Sequence, residues 1–169
     1  MEIEKKYLVN ELPHNLDSYS KLEIEQGYLS TSNPVLRIRK SNDDYFITYK
    51  SRAIPTEGKD RLALVSNEVE LPISKEAYYH LLDKADYNII TKTRYLIDLD
   101  NNLTAELDLF HNKLEGLYFV EVEYPDEIAV KNFKPPSWFG KDVTFDDRFK
   151  NNYLIKVNNI TELKGELYN

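Results

Sequence analysis

Apolar and polar residues alternate at every second position in EIEKKYLV (2–9), PVLRIRK (34–40), DYFITYKS (44–51), NEVELPI (67–73), TKTRYLIDL (91–99), LTAELDLF (103–110) and LYFVEVEY (117–124). Period-two alternation predicts strands, and residues 26–30 read as a further short one. The separators at 41–44, 100–102 and 112–116 are rich in Asn, Asp, Ser and Gly. Connections this short make hairpins, so the sheet is expected to be antiparallel. Helices are fewer. Ser74 reads as an N-cap for a helix over 75–85, with others expected near 14–22, over 126–133 before Pro135-Pro136, and over 146–157. Residues 53–66 read as a long loop. With no break in composition, 1–169 is expected to be one α+β domain dominated by antiparallel strands.

The polar positions are charged, and the charges are sorted. Residues i and i+2 of a strand share a face. Same-face acids occur as Glu2/Glu4, Glu68/Glu70, Glu106/Asp108 and Glu121/Glu123; same-face bases occur as Arg37/Arg39 and Lys92/Arg94, with Lys6 and Lys50. A sheet with one charged face in water would explain any single strand. Four acidic doublets together are a poor design for that, because adjacent like charges repel. A divalent cation reverses the sign of that cost. The arrangement therefore points to a closed or nearly closed barrel with its charged face inward and helices over its apolar outer face. The acids would hold a divalent metal and the bases a polyanion; a metal-bound polyphosphate needs both.

Composition narrows the chemistry. The 169 residues carry 41% hydrophobic and 30% charged residues, the balance of a globular chain, and a formal net charge of −7, which opposes sequence-independent nucleic-acid binding. No cysteine is present and only three histidines, so thiolate chemistry is excluded and an imidazole zinc site disfavoured. Oxygen-ligated Mg2+, Mn2+ or Ca2+ fits instead. No segment reaches the roughly 18 apolar residues of a membrane helix, and no apolar leader opens the chain, so a cytoplasmic protein is expected.

The order and spacing of E-I-E-K-K (2–6), QGYLS (26–30), LRIRK (36–40), FITYKS (46–51), NEVEL (67–71), KTRYLI (92–97), AELDLFHNKLEGLYFVEVEYPD (105–126) and WFGKDVTFDDRFKNNYL (138–154) resemble the CYTH superfamily, the triphosphate tunnel metalloenzymes, and within it the bacterial tripolyphosphatase branch. The resemblance implies an eight-stranded antiparallel tunnel with a charged interior. It implies Mg2+ or Mn2+ on Glu2, Glu4, Glu121 and Glu123, with Glu68, Glu70, Glu106 and Asp108 as further acidic wall, of which Glu106 and Asp108 are also metal-ligand candidates. It implies substrate contacts from Lys6, Arg37, Arg39, Lys50, Lys92 and Arg94. Glu4, Lys6, Glu68 and Glu70 are the catalytic candidates; the water would be activated by a carboxylate among Glu68, Glu70, Glu106 and Asp108, or by a second metal. Where many members place an arginine two residues before NEVEL, this chain has Ser66, its nearest arginine being Arg61; that phosphate contact is either lost or moved to the loop. The motif starts at residue 2, so no plug is expected to precede the first strand. Lys150 and Arg148 are expected on a solvated helix face, the tunnel mouth being the other placement. The activity implied is hydrolysis of inorganic tripolyphosphate to pyrophosphate and phosphate. A nucleoside or thiamine triphosphatase, a class IV-like adenylate cyclase and a non-catalytic polyphosphate-binding module stand as alternatives.

Overall fold

The computed structural model describes residues 2–52 and 62–163. Among the described residues, nine strands form one sheet: β1 (Glu2–Val9), β2 (Ser20–Ser30), β3 (Val35–Ser41), β4 (Asp44–Arg52), β5 (Leu64–Pro72), β6 (Asp86–Asp98), β7 (Thr104–Phe110), β8 (Tyr118–Glu123) and β9 (Phe139–Asp142). Their order is β5-β4-β3-β2-β6-β7-β8-β1-β9, and β1 also pairs with β5. That pairing, through Glu2–Ser66, Ile3–Val65 and Glu4–Leu64, closes eight strands into an antiparallel barrel. β9 lies outside it, alongside β1.

The registers fix the faces. Glu4 lies opposite Glu123 and Lys6 opposite Glu121; Glu106 lies opposite Glu121; Arg94 lies opposite Asp108; Lys50 lies opposite Glu68. The charges singled out on β1 and β3–β8 thus point to one interior, whereas on β2 the uncharged Gln26 and Tyr28 face inward and Glu23 and Glu25 face out, opposite Thr93 and Thr91. The outward parity of β1, β6, β7 and β8, including Ile3, Tyr7, Ile97, Ala105, Leu107, Val120 and Val122, is buried under Val130, Phe133, Trp138 and Phe139. Helix α2 (Glu127–Asn132), capped by the Asp126 carboxylate accepting from the Ala129 amide, carries part of that cover. Helix α1 (Lys75–Leu82) begins as expected, with Ser74 accepting from the Ala77 amide, and packs on β3 and β4.

Several elements differ from expectation. The helix expected near 14–22 is a single 3-10 turn, Leu16–Ser18, after Asn15 at φ 59°. β2 begins directly afterwards, because Leu22 and Ile24 already alternate with Glu23 and Glu25 and both edges find partners, β3 and β6. β6 begins five residues before the expected start, its opening masked by Tyr87 at φ 60° and a register shift against β2. The expected helix over 146–157 is a 3-10 turn, Asp147–Phe149, followed by one turn of α-helix, α3 (Asn151–Leu154). It does not cover the outside of the barrel. Its Phe149, Leu154 and Ile155, with Val157 and Leu163, pack on Leu8, Ile90, Phe110 and Phe119. Those four residues lie on the inward parity of their strands, so this segment closes one end of the interior. Of the loop expected over 53–66, residues 53–61 lie outside the described residues, and Leu64–Ser66 belong to β5. Among the described residues, no helix is long and apolar enough to cross a membrane.

Candidate active site

One cavity of about 230 Å3 occupies the barrel. It is lined by twelve of the fourteen charged residues singled out from the sequence: Glu2, Glu4, Lys6, Arg37, Arg39, Lys50, Glu68, Lys92, Arg94, Glu106, Glu121 and Glu123. The other two do not line it. Glu70 accepts from Arg39 at 2.7 Å and from the Thr48 hydroxyl at 3.1 Å and is exposed. Asp108 is 1% exposed behind Lys92 and Arg94.

The acids gather where β1, β8 and β5 meet. Carboxylate oxygens of Glu2, Glu4 and Glu123 lie within 4.8 Å of one another. Burial, followed by the charges of Glu106, Glu2 and Glu4, pushes the Glu123 carboxyl up to about 7. Burial also raises Glu2. Three converging carboxylates, with the ionisation of Glu2 and Glu123 resisted, are a donor set for a hard divalent cation, so the residues fit the metal the sequence implies. Lys50 partly offsets the repulsion, reaching Glu2 at 3.0 Å, Glu68 at 3.3 Å and Glu4 at 3.5 Å. Burial opposes its charge, but Glu4, Glu68 and Glu2 together hold the ammonium well above its usual range.

The bases line the other walls. Arg37 and Arg39 on β3 reach Glu68 at 3.5 Å and Glu70 at 2.7 Å. The Nε atoms of both guanidinium groups are buried with no hydrogen-bond partner among the described residues. Buried donors left unpaired are costly, and an anion with several acceptor oxygens would satisfy them. Deeper in, Lys6 donates to Glu121 at 2.8 Å and to the Phe149 carbonyl at 3.1 Å, tying the end-closing segment to the wall. Arg94 donates to Asp108 through Nε and Nη2, to Glu121 at 2.8 Å and to Glu106. Burial works against the Glu121 charge, yet Lys6 and Arg94 hold its carboxyl well below the usual range. Burial lowers Lys92 to about 8 despite the neighbouring Asp108.

The sequence reading missed the uncharged lining. Gln26 donates to the Tyr28 hydroxyl at 3.0 Å; both are buried, and both line the cavity with Thr48, Ser66, Asn151 and Asn152. Their parity on β2, β4 and β5 was available, but uncharged side chains look the same there as in an ordinary core. Tyr28 is a wall of the cavity. Lys150 lines it as well, and Arg148 instead pairs with Asp146. Ser66, standing where an arginine was expected, touches Glu2 at 3.4 Å. Arg61 lies outside the described residues.

Comparison with known proteins gives this geometry a lineage. The CYTH domain model matches residues 1–144. The inorganic triphosphatase of Nitrosomonas europaea is 37% identical over 90% of this chain and 95% of its own. The inorganic triphosphatase of Acetivibrio thermocellus is 35% identical over 92% and 93%. A crystal structure of an inorganic triphosphatase superposes with a TM-score of 0.66 at 34% identity, covering 92% of this chain and 95% of that one. A Hippeastrum protein, described as a putative adenylyl cyclase with dominant triphosphatase activity, shares the fold at 20% identity, a TM-score of 0.53 and 78% and 83% coverage. A closed antiparallel barrel, inward charges sorted by sign and a domain match over most of the sequence lead to one assignment: the chain belongs to the CYTH family.

Proposed function

We propose that this protein is a divalent-metal-dependent hydrolase that splits inorganic tripolyphosphate into pyrophosphate and phosphate inside the barrel. One observation carries the reading. A three-carboxylate cluster and a pair of half-buried arginines whose buried Nε donors are unpaired among the described residues line the same cavity. Binding an anion needs only the basic side; the acids facing it have a use when a cation lies between. Both inorganic triphosphatase relatives align over nearly the full length of the chain.

Glu2, Glu4 and Glu123 would hold the cation, with Glu106 and Glu121 beside them. The bound cation supplies Lewis-acid neutralisation of phosphate oxygens. Arg37 and Arg39 grip the substrate through Nε and Nη donors. Lys50 and Lys6 add point charge, and Lys92 and Arg94 line the deeper part. Phosphoryl transfer asks mainly for positioning and charge neutralisation, and this wall provides both. Of the four carboxylates proposed for the water, Glu68 and Glu106 line the cavity and Glu70 and Asp108 do not; burial resists ionisation of Glu106. Arg37 and Lys50 overcome the effect of burial and keep Glu68 ionised, so it can accept a hydrogen bond from water and then its proton. The water oxygen bonds to the terminal phosphorus as the bridging P–O bond breaks, and pyrophosphate leaves with that bridging oxygen. The test is phosphate release from tripolyphosphate with Mn2+ by the wild type and by Glu4→Ala. The wild type is expected to lose its rate in chelator and Glu4→Ala to lose it throughout; wild-type activity in Glu4→Ala contradicts the mechanism.

A further inference from the structure

The carboxylate of Asp108 is separated from the acid cluster that suits a cation. It is 1% exposed, and its neighbours Lys92 and Arg94 are 2% and 8% exposed. Both of its oxygens are committed. Arg94 Nε donates to Oδ1 at 2.7 Å and Nη2 to Oδ2 at 2.8 Å, while Lys92 Nζ donates to Oδ2. Asp108 does not line the cavity, whereas Lys92 and Arg94 do. We propose that Asp108 is a positioning residue that holds Lys92 and Arg94 in place for the phosphate chain, and is not a ligand of the cation. This rests on the reading that the cavity binds tripolyphosphate.

The physical need is specific. Lys92 and Arg94 stand two residues apart on one face of β6, where like charges repel. Burial adds a desolvation cost for each. One carboxylate between them offsets both, and a fork-to-fork contact fixes the plane of the guanidinium as a single point charge would not. With Nε and Nη2 held by Asp108, the outer edge of Arg94 is turned to Glu106 and Glu121. Lys92 has only Asp108 as a carboxylate partner among the described ion pairs and lies over the Phe110 ring at 5.4 Å, so its placement depends on that contact.

The test uses the full chain with Asp108→Asn, Lys92→Met and the double variant. Calorimetry measures Mn2+ binding without substrate and tripolyphosphate binding in chelator; KM and kcat are measured alongside. In Asp108→Asn, Mn2+ affinity is expected to stay within about twofold, while tripolyphosphate binding and KM worsen by about tenfold or more, the scale of a lost buried charge contact. The Lys92→Met and Asp108→Asn losses are expected to be non-additive, as for residues in contact. A roughly tenfold loss of Mn2+ affinity with tripolyphosphate binding unchanged overturns the proposal, as do additive losses. If Asp108→Asn does not fold, the double variant, which buries no unpaired lysine, is compared with Lys92→Met; weaker Mn2+ binding in the double variant overturns the proposal. A wild-type chain that does not bind tripolyphosphate overturns the functional reading, and the phosphate half of this one with it; that result is recognised because no variant is involved.

Discussion

Glu123 shows at a single residue what the interior is built for. Its carboxyl is pushed up to about 7 by burial and by Glu106, Glu2 and Glu4. A folded-state pKa above the ordinary 4.5 favours the protonated folded state. Its contribution is therefore complete below about 4.5 and is lost as pH rises through about 7. In chelator, wild-type Tm should fall relative to Glu123→Gln as pH is raised across that window, and saturating Mn2+ should remove the difference. A pH-independent gap in melting scans would contradict this. On the opposite wall, Arg37→Ala should raise KM for tripolyphosphate by about tenfold or more, since a charged hydrogen bond contributes ~1.5–3 kcal/mol; steady-state kinetics read it directly. These residues were legible because strand parity sorts charges without any knowledge of the fold. Parity could not separate Asp108 from Glu106, because depth along the barrel axis depends on strand stagger. It also gave no weight to Gln26 or Tyr28, whose side chains carry no charge.

At the scale of elements, strands with clean alternation were readable and the β2–β6 ribbon was readable only in part. Gly27 marks the reason. A Cβ there would meet Ala85 Cβ at 2.9 Å and Ile89 Cδ1 at 3.1 Å, so the strand is set by a close approach that a local pattern does not reveal. Gly27→Ala should destabilise by ~1–3 kcal/mol through overpacking, measured by urea unfolding; an unchanged midpoint would mean the ribbon yields. The C-terminal segment was misread for a related reason. Its apolar residues fit a helix on the outer wall as well as they fit a stopper, and only the inward apolar positions Leu8, Ile90, Phe110 and Phe119 distinguish the two. Phe149 stacks edge-on against Phe119 at 5.6 Å and is 1% exposed. Phe149→Ala should cost ~3–5 kcal/mol. It should also disturb activity, because the carbonyl of the same residue is held by Lys6.

For the whole molecule, the barrel sets acids and bases facing each other across one cavity. The cost of holding them there is met by ion pairs such as Lys50 with Glu2 and Lys6 with Glu121. A cation and a polyanion entering together leave those pairs with new partners, so ligands should stabilise the fold by mass action. The most direct measurement is phosphate release from tripolyphosphate, ATP and pyrophosphate side by side, each with Mg2+, Mn2+ or chelator. Fast metal-dependent release from tripolyphosphate, with ATP and pyrophosphate far slower, is the predicted result. Faster turnover of ATP, or no metal-dependent release from tripolyphosphate, would contradict it.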